Sequence, residues 1–565
     1  MKKVLFIFFC FLSLYLKGQD VFWVTPRGDD DNAGTDSSST GAWATWREAF
    51  YSASVGPGDT VYFRGGVYPH TDTDGGYGYG YDHPITNGTS GNYVYYWAYP
   101  PDLEDGNPPI LDSKDVVVSP ATTHNYAIYA SGVNWVYFKG LTIRNVKESK
   151  GEDVANAWYF SSISNSIFEQ CTAYNTGGGG FTTHFATNVY LINCDSYNNC
   201  DSLTASYPGN DGTGFRNTNN TTTSGSVYYR YCRAWNNGDQ GFSAGSVGYA
   251  EYDGCWSWNN GQLEGGGWGF KMSFYSSLTP GILKRLYKNN IALYNRRSGF
   301  DTNDGASTTA LAMNIYNNTS YHNEYGFRVL NTQGTNEREL ERTYKNNIAY
   351  ANSAGHIQAL GSYTHDHNSW DISGLGNFTN ADFLSVDTTG ITGARQADGS
   401  LPELNFLKLS STSRAIDEGT NVGYGDDIGA YQYEPYDPGE EIEPAVVFTT
   451  GAFPSKTSAV INATVFDDGG GTVSLRGVVF STSANPDLTD SFTENGLGTG
   501  AYQALLSPLL ENTLYYARAY AINEIGTSYG NEINFTTTQG GIVTVIIDGV
   551  EYIVTHSDGR IIEVK

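Results

Sequence analysis

Eight five-residue segments ending in asparagine recur along the middle of the chain, and no other feature constrains the fold as much. They are Leu-Thr-Ile-Arg-Asn145, Cys-Thr-Ala-Tyr-Asn175, Cys-Asp-Ser-Tyr-Asn198, Cys-Arg-Ala-Trp-Asn236, Cys-Trp-Ser-Trp-Asn259, Ile-Ala-Leu-Tyr-Asn295, Thr-Ser-Tyr-His-Asn323 and Ile-Ala-Tyr-Ala-Asn352. A second mark, the dipeptide Gly-Phe, ends at Phe181, Phe215, Phe242, Phe270, Phe300 and Phe327, at intervals of 34, 27, 28, 30 and 27 residues. Within each segment the first and third positions are small or apolar and the second and fourth polar or large, the alternation of a short strand. Short strands repeating at this period build a solenoid whose coils stack on one another. Propeller blades need about 40–45 residues and antiparallel turns. The expected fold class is therefore all-β, a right-handed parallel β-helix followed by a small β-sandwich. Equivalent residues stack about 4.8 Å apart, which predicts an interior Cys/Ile ladder, an interior Phe ladder and asparagines bonding neighbouring turns.

The flanks fit this scheme. Residues 42–50 read as a short amphipathic helix able to cap the first coil, leading through Gly56-Pro57-Gly58-Asp59 into a strand over 60–64. The β-helix domain is expected over 20–433, its coils running to Asp427-Ile428-Gly429-Ala430-Tyr431, with a Pro- and acid-rich linker over 434–444. From 445 to 538 the pattern changes to period-two strands. The segment Leu514–Ala521, closing with Asn523-Glu524-Ile525-Gly526-Thr527, resembles the penultimate strand of a fibronectin type III sandwich. The tail, 539–565, holds two short apolar runs around Asp548-Gly549 and Asp558-Gly559, read as a hairpin.

Charge and cysteines narrow the setting. Lys2 and Lys3, the apolar run 4–16 and Lys17-Gly18-Gln19 form the pattern of a secretory signal peptide over 1–19. No stretch approaches the 18 or so apolar residues of a membrane span, so an exported protein acting as a monomer is expected. Fifty-nine acidic against 32 basic residues give a net charge of −27, which argues against nucleic acid and anionic membrane surfaces as partners. Cysteines 171, 194, 232 and 255 recur at one repeat position, which predicts packed thiols rather than disulfides.

If each repeated Phe points inward, the next residue points outward. That column reads Thr182, Arg216, Ser243, Lys271, Asp301 and Arg328, flanked by Asp211, Asp239, Gln240 and Asp304. Residues 265–345 carry ten Lys/Arg against six Asp/Glu. A basic strip on an acidic body suits a polyanion other than nucleic acid, such as a uronic-acid polysaccharide.

At Gly265-Gly266-Gly267-Trp268-Gly269-Phe270-Lys271-Met272 the chain resembles the family 9 polysaccharide lyases, pectate lyases built on a parallel β-helix. Thr25-Pro26-Arg27-Gly28-Asp29, the segment 56–66 and the Cys-Arg-Ala-Trp-Asn-Asn coil carry the resemblance over roughly 20–433. It implies that Lys271 is the base of a β-elimination. It also implies calcium held by four carboxylates, of which Asp239 matches one, while Thr213, Gln240 and Ser243 stand at the other three and Asp211 lies near. The expected site is Lys271 as catalytic base, with Arg216, Arg328 and Asp301 for substrate and Asp239 and Asp211 for metal. The arginines are expected to replace the weakened calcium site, and Asp301 is the rung that opposes a neutral lysine. His184, His365-Asp366-His367, Asp29-Asp30-Asp31 and Tyr77, Tyr79 and Tyr81 rank below these. Rival readings are a polygalacturonase-type hydrolase using Asp239 with Asp301 or Asp304, a carbohydrate-binding adhesin, and a C5-epimerase.

Overall fold

The computed structural model describes residues 20–70, 81–82, 85–90, 92–117, 124–148, 154–204, 207–218, 225–245, 248–272, 283–303, 312–330, 342–360, 363–372, 378–396, 398–433, 444–469, 471–523, 525–538, 542–547, 550–557 and 560–564. The signal-peptide pattern, Tyr77, Tyr79, the Tyr81 side chain and Asp304 lie outside what is described. Residues 1–434 and 435–565 form two compact units.

The first unit is a right-handed parallel β-helix. Its strands form three sheets of 13, 10 and 10 strands, in which successive coils pair in order. A typical coil gives one strand to each sheet, as Tyr249–Asp253, Trp256–Trp258 and Trp268–Lys271 do. The Phe ladder forms as expected. Phe181, Phe215, Phe242, Phe270, Phe300 and Phe327 stack face to face, with ring centroids 4.8–5.0 Å apart. Tyr229, Tyr252 and Tyr287 form a second interior stack and meet these rings edge-on. Removing each such side chain from water stabilises the coil by roughly 1.5–3 kcal/mol, and the repeated ring contacts lock coil register.

The cysteine ladder departs from expectation in phase. Cys171, Cys194, Cys232 and Cys255 are free and stacked, but the pairing of Trp256 with Ile291 puts Asn290, not Ile291, next below Cys255. Cys255 N–H donates to Asn290 Oδ1 at 2.9 Å, and the ladder continues as Asn290, Asn318, Asn347 and Asn368. A second ladder runs Asn199, Asn237, Asn260, Asn295, Asn323 and Asn352. The motif therefore slips by one residue between the Cys255 and Ile291 coils. Through the first copies the repeated asparagine takes the left-handed turn, as Asn259 does at φ 50°; afterwards its neighbour does, Tyr294 at 51°.

A helix over Trp46–Tyr51 closes the first coil, inserting Trp46 and Phe50 among core aromatics. Asp30 holds its start by accepting the N–H groups of Ala44 and Thr45 at 2.8 and 2.9 Å, so the Asp29-Asp30-Asp31 run has a structural use.

The coils end earlier than expected. The last paired strand is Thr364–Asp366, and the described part of 367–433 contains no coil strand. That segment folds back over the outer face of the second sheet instead. Ile391, Phe406, Leu409 and Ile428 are buried with Trp235, Trp258, Leu293 and Tyr321, and Arg395 pairs with Asp195 at 2.7 Å. Its residues carry no repeat mark because they pack as a strap, not as coils.

In the second unit, an antiparallel three-stranded sheet and a five-stranded sheet enclose one core that includes Val447, Ile461, Val478, Ala517 and Ala519. Residues 542–564 contribute three antiparallel strands, one more than the expected hairpin.

Candidate active site

The column after Gly-Phe is in unbroken register. Thr182 pairs with Arg216, Arg216 with Ser243, Ser243 with Lys271, Lys271 with Asp301, Asp301 with Arg328, and Arg328 with Gln358. Phe270 fills the interior, and alternation then turns Lys271 to the outer face of the third sheet. The column is not uniformly exposed: Asp301 is fully buried and Arg328 is 8% exposed, whereas Lys271 and Arg216 are half-buried.

Lys271 lies over the Trp268 ring, its Nζ 4.6 Å from the centroid. Burial lowers its pKa from the ordinary lysine value; Asp239 opposes this, Arg216 adds to it, and Asp301 and Asp211 oppose it. The loop before the strand needs its glycines. A Cβ at Gly266 would lie 1.9 Å from the Trp268 ring, one at Gly265 would meet the Gly238 carbonyl at 1.9 Å, and Gly267 has φ +78°. This close approach lets Gly266 N–H donate to Asp239 Oδ1 at 2.6 Å. Burial pushes the Asp239 carboxyl up to about 6, against Lys271, the Gly266 N–H and Arg216.

Arg216 and Asp211 are paired. Arg216 Nη2 donates to Asp211 Oδ1 at 3.0 Å and to Thr213 Oγ1 at 3.1 Å. Gln240 Nε2 donates to the same Thr213 oxygen at 2.9 Å, while Gln240 Oε1 is buried with no hydrogen-bond partner among the described residues. At the other end of the column, Arg328 Nη1 reaches Asp301 Oδ2 at 2.6 Å and its Nε reaches Gln358 at 2.8 Å. Asp301 also accepts from Ser298 Oγ and Asn303 N–H. The structure thus brings Lys271, Asp239, Arg216 and Asp211 together, while Asp301, the next rung to Lys271, is engaged in a buried ion pair with Arg328.

Calcium fits this donor set poorly. The cation takes six to eight oxygens, usually with several carboxylates. Here one carboxylate, Asp239, faces a lysine and an arginine. Asp211 holds the arginine, and the Thr213 hydroxyl oxygen already accepts two N–H donors. Among the described residues, three carboxylates with oxygens within 4.8 Å of one another occur at Asp417, Asp426 and Asp427, in the folded-back segment and not in the column.

An aromatic shelf extends the column beyond Thr182. Tyr159 pairs with Thr182 and Tyr129 with Tyr159; their rings stack at 5.4 Å. The His184 ring lies 4.8 Å from Tyr159, and its Nδ1 is 2.6 Å from Thr218 Oγ1. Burial, then Arg216, pushes His184 down to about 4, so it is neutral near pH 7. The tyrosines escaped the sequence reading because their coils lack Gly-Phe; the alternation in Ala157-Trp158-Tyr159-Phe160 was the available signal. His365 Nδ1 lies 2.6 Å from Asp371 Oδ1 and His367 Nδ1 lies 2.7 Å from Asp366 Oδ1, at the end of the exposed strand Thr364–Asp366 and remote in sequence from the column.

Residues 22–347 match the family described as "Pel9A-like, right handed beta helix region". The chain belongs to that family. The Pel9A-like region contains every rung from Thr182 to Arg328. Among curated relatives, pectate lyase L of Dickeya chrysanthemi is 27% identical over 445 residues, covering 73% of this chain and 90% of that protein. Pectate lyase PEL9 of Emericella nidulans is 24% identical over 425 residues, covering 68% and 91%. The crystal structure of pectate lyase Pel9A shares the fold with a TM-score of 0.57 at 23% identity, over 74% of this chain and 97% of that one.

Proposed function

We propose that the protein is an exported polysaccharide lyase that cleaves a uronic-acid polymer by β-elimination, with Lys271 as general base. The placement of Lys271 carries this reading. Its amine sits on the column's outer face with its pKa lowered by burial, as a base needs to be. The resemblance to pectate lyases supports the substrate class.

Elimination removes the C5 proton, α to the uronate carboxylate. The C5–H pair becomes the C4–C5 double bond, the C4–O bond breaks with its electrons on oxygen, and the proton passes to Lys271 Nζ. The leaving oxygen is then protonated from solvent. A cation on the carboxylate stabilises the developing carbanion. The second unit is read as a fibronectin type III-like spacer. Hydrolysis fits less well, because it needs two placed carboxyl groups and Asp301 is committed to Arg328.

The test is ultraviolet absorbance of the unsaturated uronide against a panel of uronic-acid polysaccharides. The chromophore is expected with the wild type and lost in Lys271→Ala. New reducing ends without the chromophore would establish a hydrolase; binding without either product would establish an adhesin.

A further inference from the structure

We infer that Arg216, not a divalent cation, neutralises the substrate carboxylate beside Lys271, so that the site works without metal. This rests on the lyase reading and goes beyond it by assigning the electrophilic group.

Four observations converge on Arg216. The carboxylate set a calcium ion would need is reduced to Asp239, and Thr213, Gln240 and Ser243 stand where the family resemblance implies the rest. Gln240 and Arg216 both donate to the Thr213 hydroxyl oxygen, so the centre of the would-be metal site is filled with N–H groups. Arg216 is two rungs from Lys271 across Ser243, about 10 Å along the stack. The intervening serine is short, leaving both long side chains to converge above it. Finally, all the hydrogen bonds Arg216 makes to described residues use Nη2. Its Nε and Nη1, on opposite edges of the guanidinium, make no hydrogen bond to a described residue and are left to donate singly to a substrate carboxylate oxygen. Asp211 anchors the guanidinium from one side. Arg328 is excluded from the role because its Nε and Nη1 are engaged by Gln358 and Asp301.

The experiment uses the full chain stripped with chelator, assayed on whichever polymer of the panel yields chromophore. Activity is expected to persist in chelator. Arg216→Ala is expected to lower kcat by about 10²–10³-fold, the usual effect of removing one preorganised donor to a developing oxyanion. Arg216→Lys should recover little of it, and added guanidinium should restore part of the Arg216→Ala loss. Calorimetric titration with calcium supplies a readout independent of turnover: Asp239→Asn should bind as many calcium ions as the wild type. The inference is overturned if stripped protein is inactive and calcium restores it, together with one calcium equivalent lost in Asp239→Asn; the lyase reading would survive that result. If neither stripped nor calcium-loaded protein ever forms the chromophore, the lyase reading falls and takes this inference with it.

Discussion

At the scale of single residues, the chemistry depends on how Lys271 is held between opposing influences. Burial and Arg216 lower its pKa, while the Asp239 carboxylate raises it. An amine takes a proton only when neutral, so activity should rise as pH climbs through the lysine's pKa. Asp239→Asn removes a charge that favours the ammonium, and the acid limb of the kcat/KM profile should move to lower pH. Arg216→Gln removes a charge that disfavours it, and the same limb should move to higher pH. Profiles of both variants, measured on one polymer, check the two signs together; shifts in the same direction would contradict the arrangement. Lys271 was legible because Gly-Phe fixes which residue faces out. The Asp301–Arg328 pair was not, because a column of alternating charge does not say which neighbour closes on which. Register placed Asp301 equally beside Lys271 and Arg328; the buried contact at 2.6 Å decides for the arginine.

At the scale of elements, the asparagine ladders hold the turns. Asn260 donates to Asn295, Ser257 and Ala234 and accepts from Asn237 twice. Asn260→Ala leaves buried donors and acceptors without partners, each costing about 1–3 kcal/mol. A lowered melting temperature with an unchanged far-ultraviolet circular dichroism spectrum is the expected result. The ladder was only half visible in the sequence: asparagine recurrence was plain, but the one-residue slip after Cys255 appears only when Trp256 is seen paired with Ile291. The Tyr129–Tyr159 shelf belongs to this scale too. If a sugar ring stacks there, Tyr159→Ala should raise KM for long polymer about two- to twelvefold, from an aromatic contact of about 0.5–1.5 kcal/mol. The kcat should be unchanged, and fragments too short to reach the shelf should show no effect. A fall in kcat with KM constant would assign the tyrosine to the chemistry instead.

For the whole molecule, the strap over 367–433 matters as much as the coils. It covers Trp235, Trp258 and Leu293 on the second sheet, an apolar strip that would otherwise face water. A chain ending at residue 433 is expected to fold and keep full turnover on soluble polymer. One ending at residue 372 should expose that strip and aggregate, as size-exclusion chromatography would show. The solenoid was legible because its coils repeat. The strap was not, because it buries Phe378, Phe383 and Leu409 without periodicity and so resembled more coil. The central claim is that Lys271 removes a proton to leave an unsaturated sugar, and mass spectrometry of the products tests it most directly. Wild-type protein should release fragments lighter by one water than hydrolysis would give, and Lys271→Ala should release none. Fragments carrying the added water, or unsaturated fragments from Lys271→Ala at the wild-type rate, would contradict it.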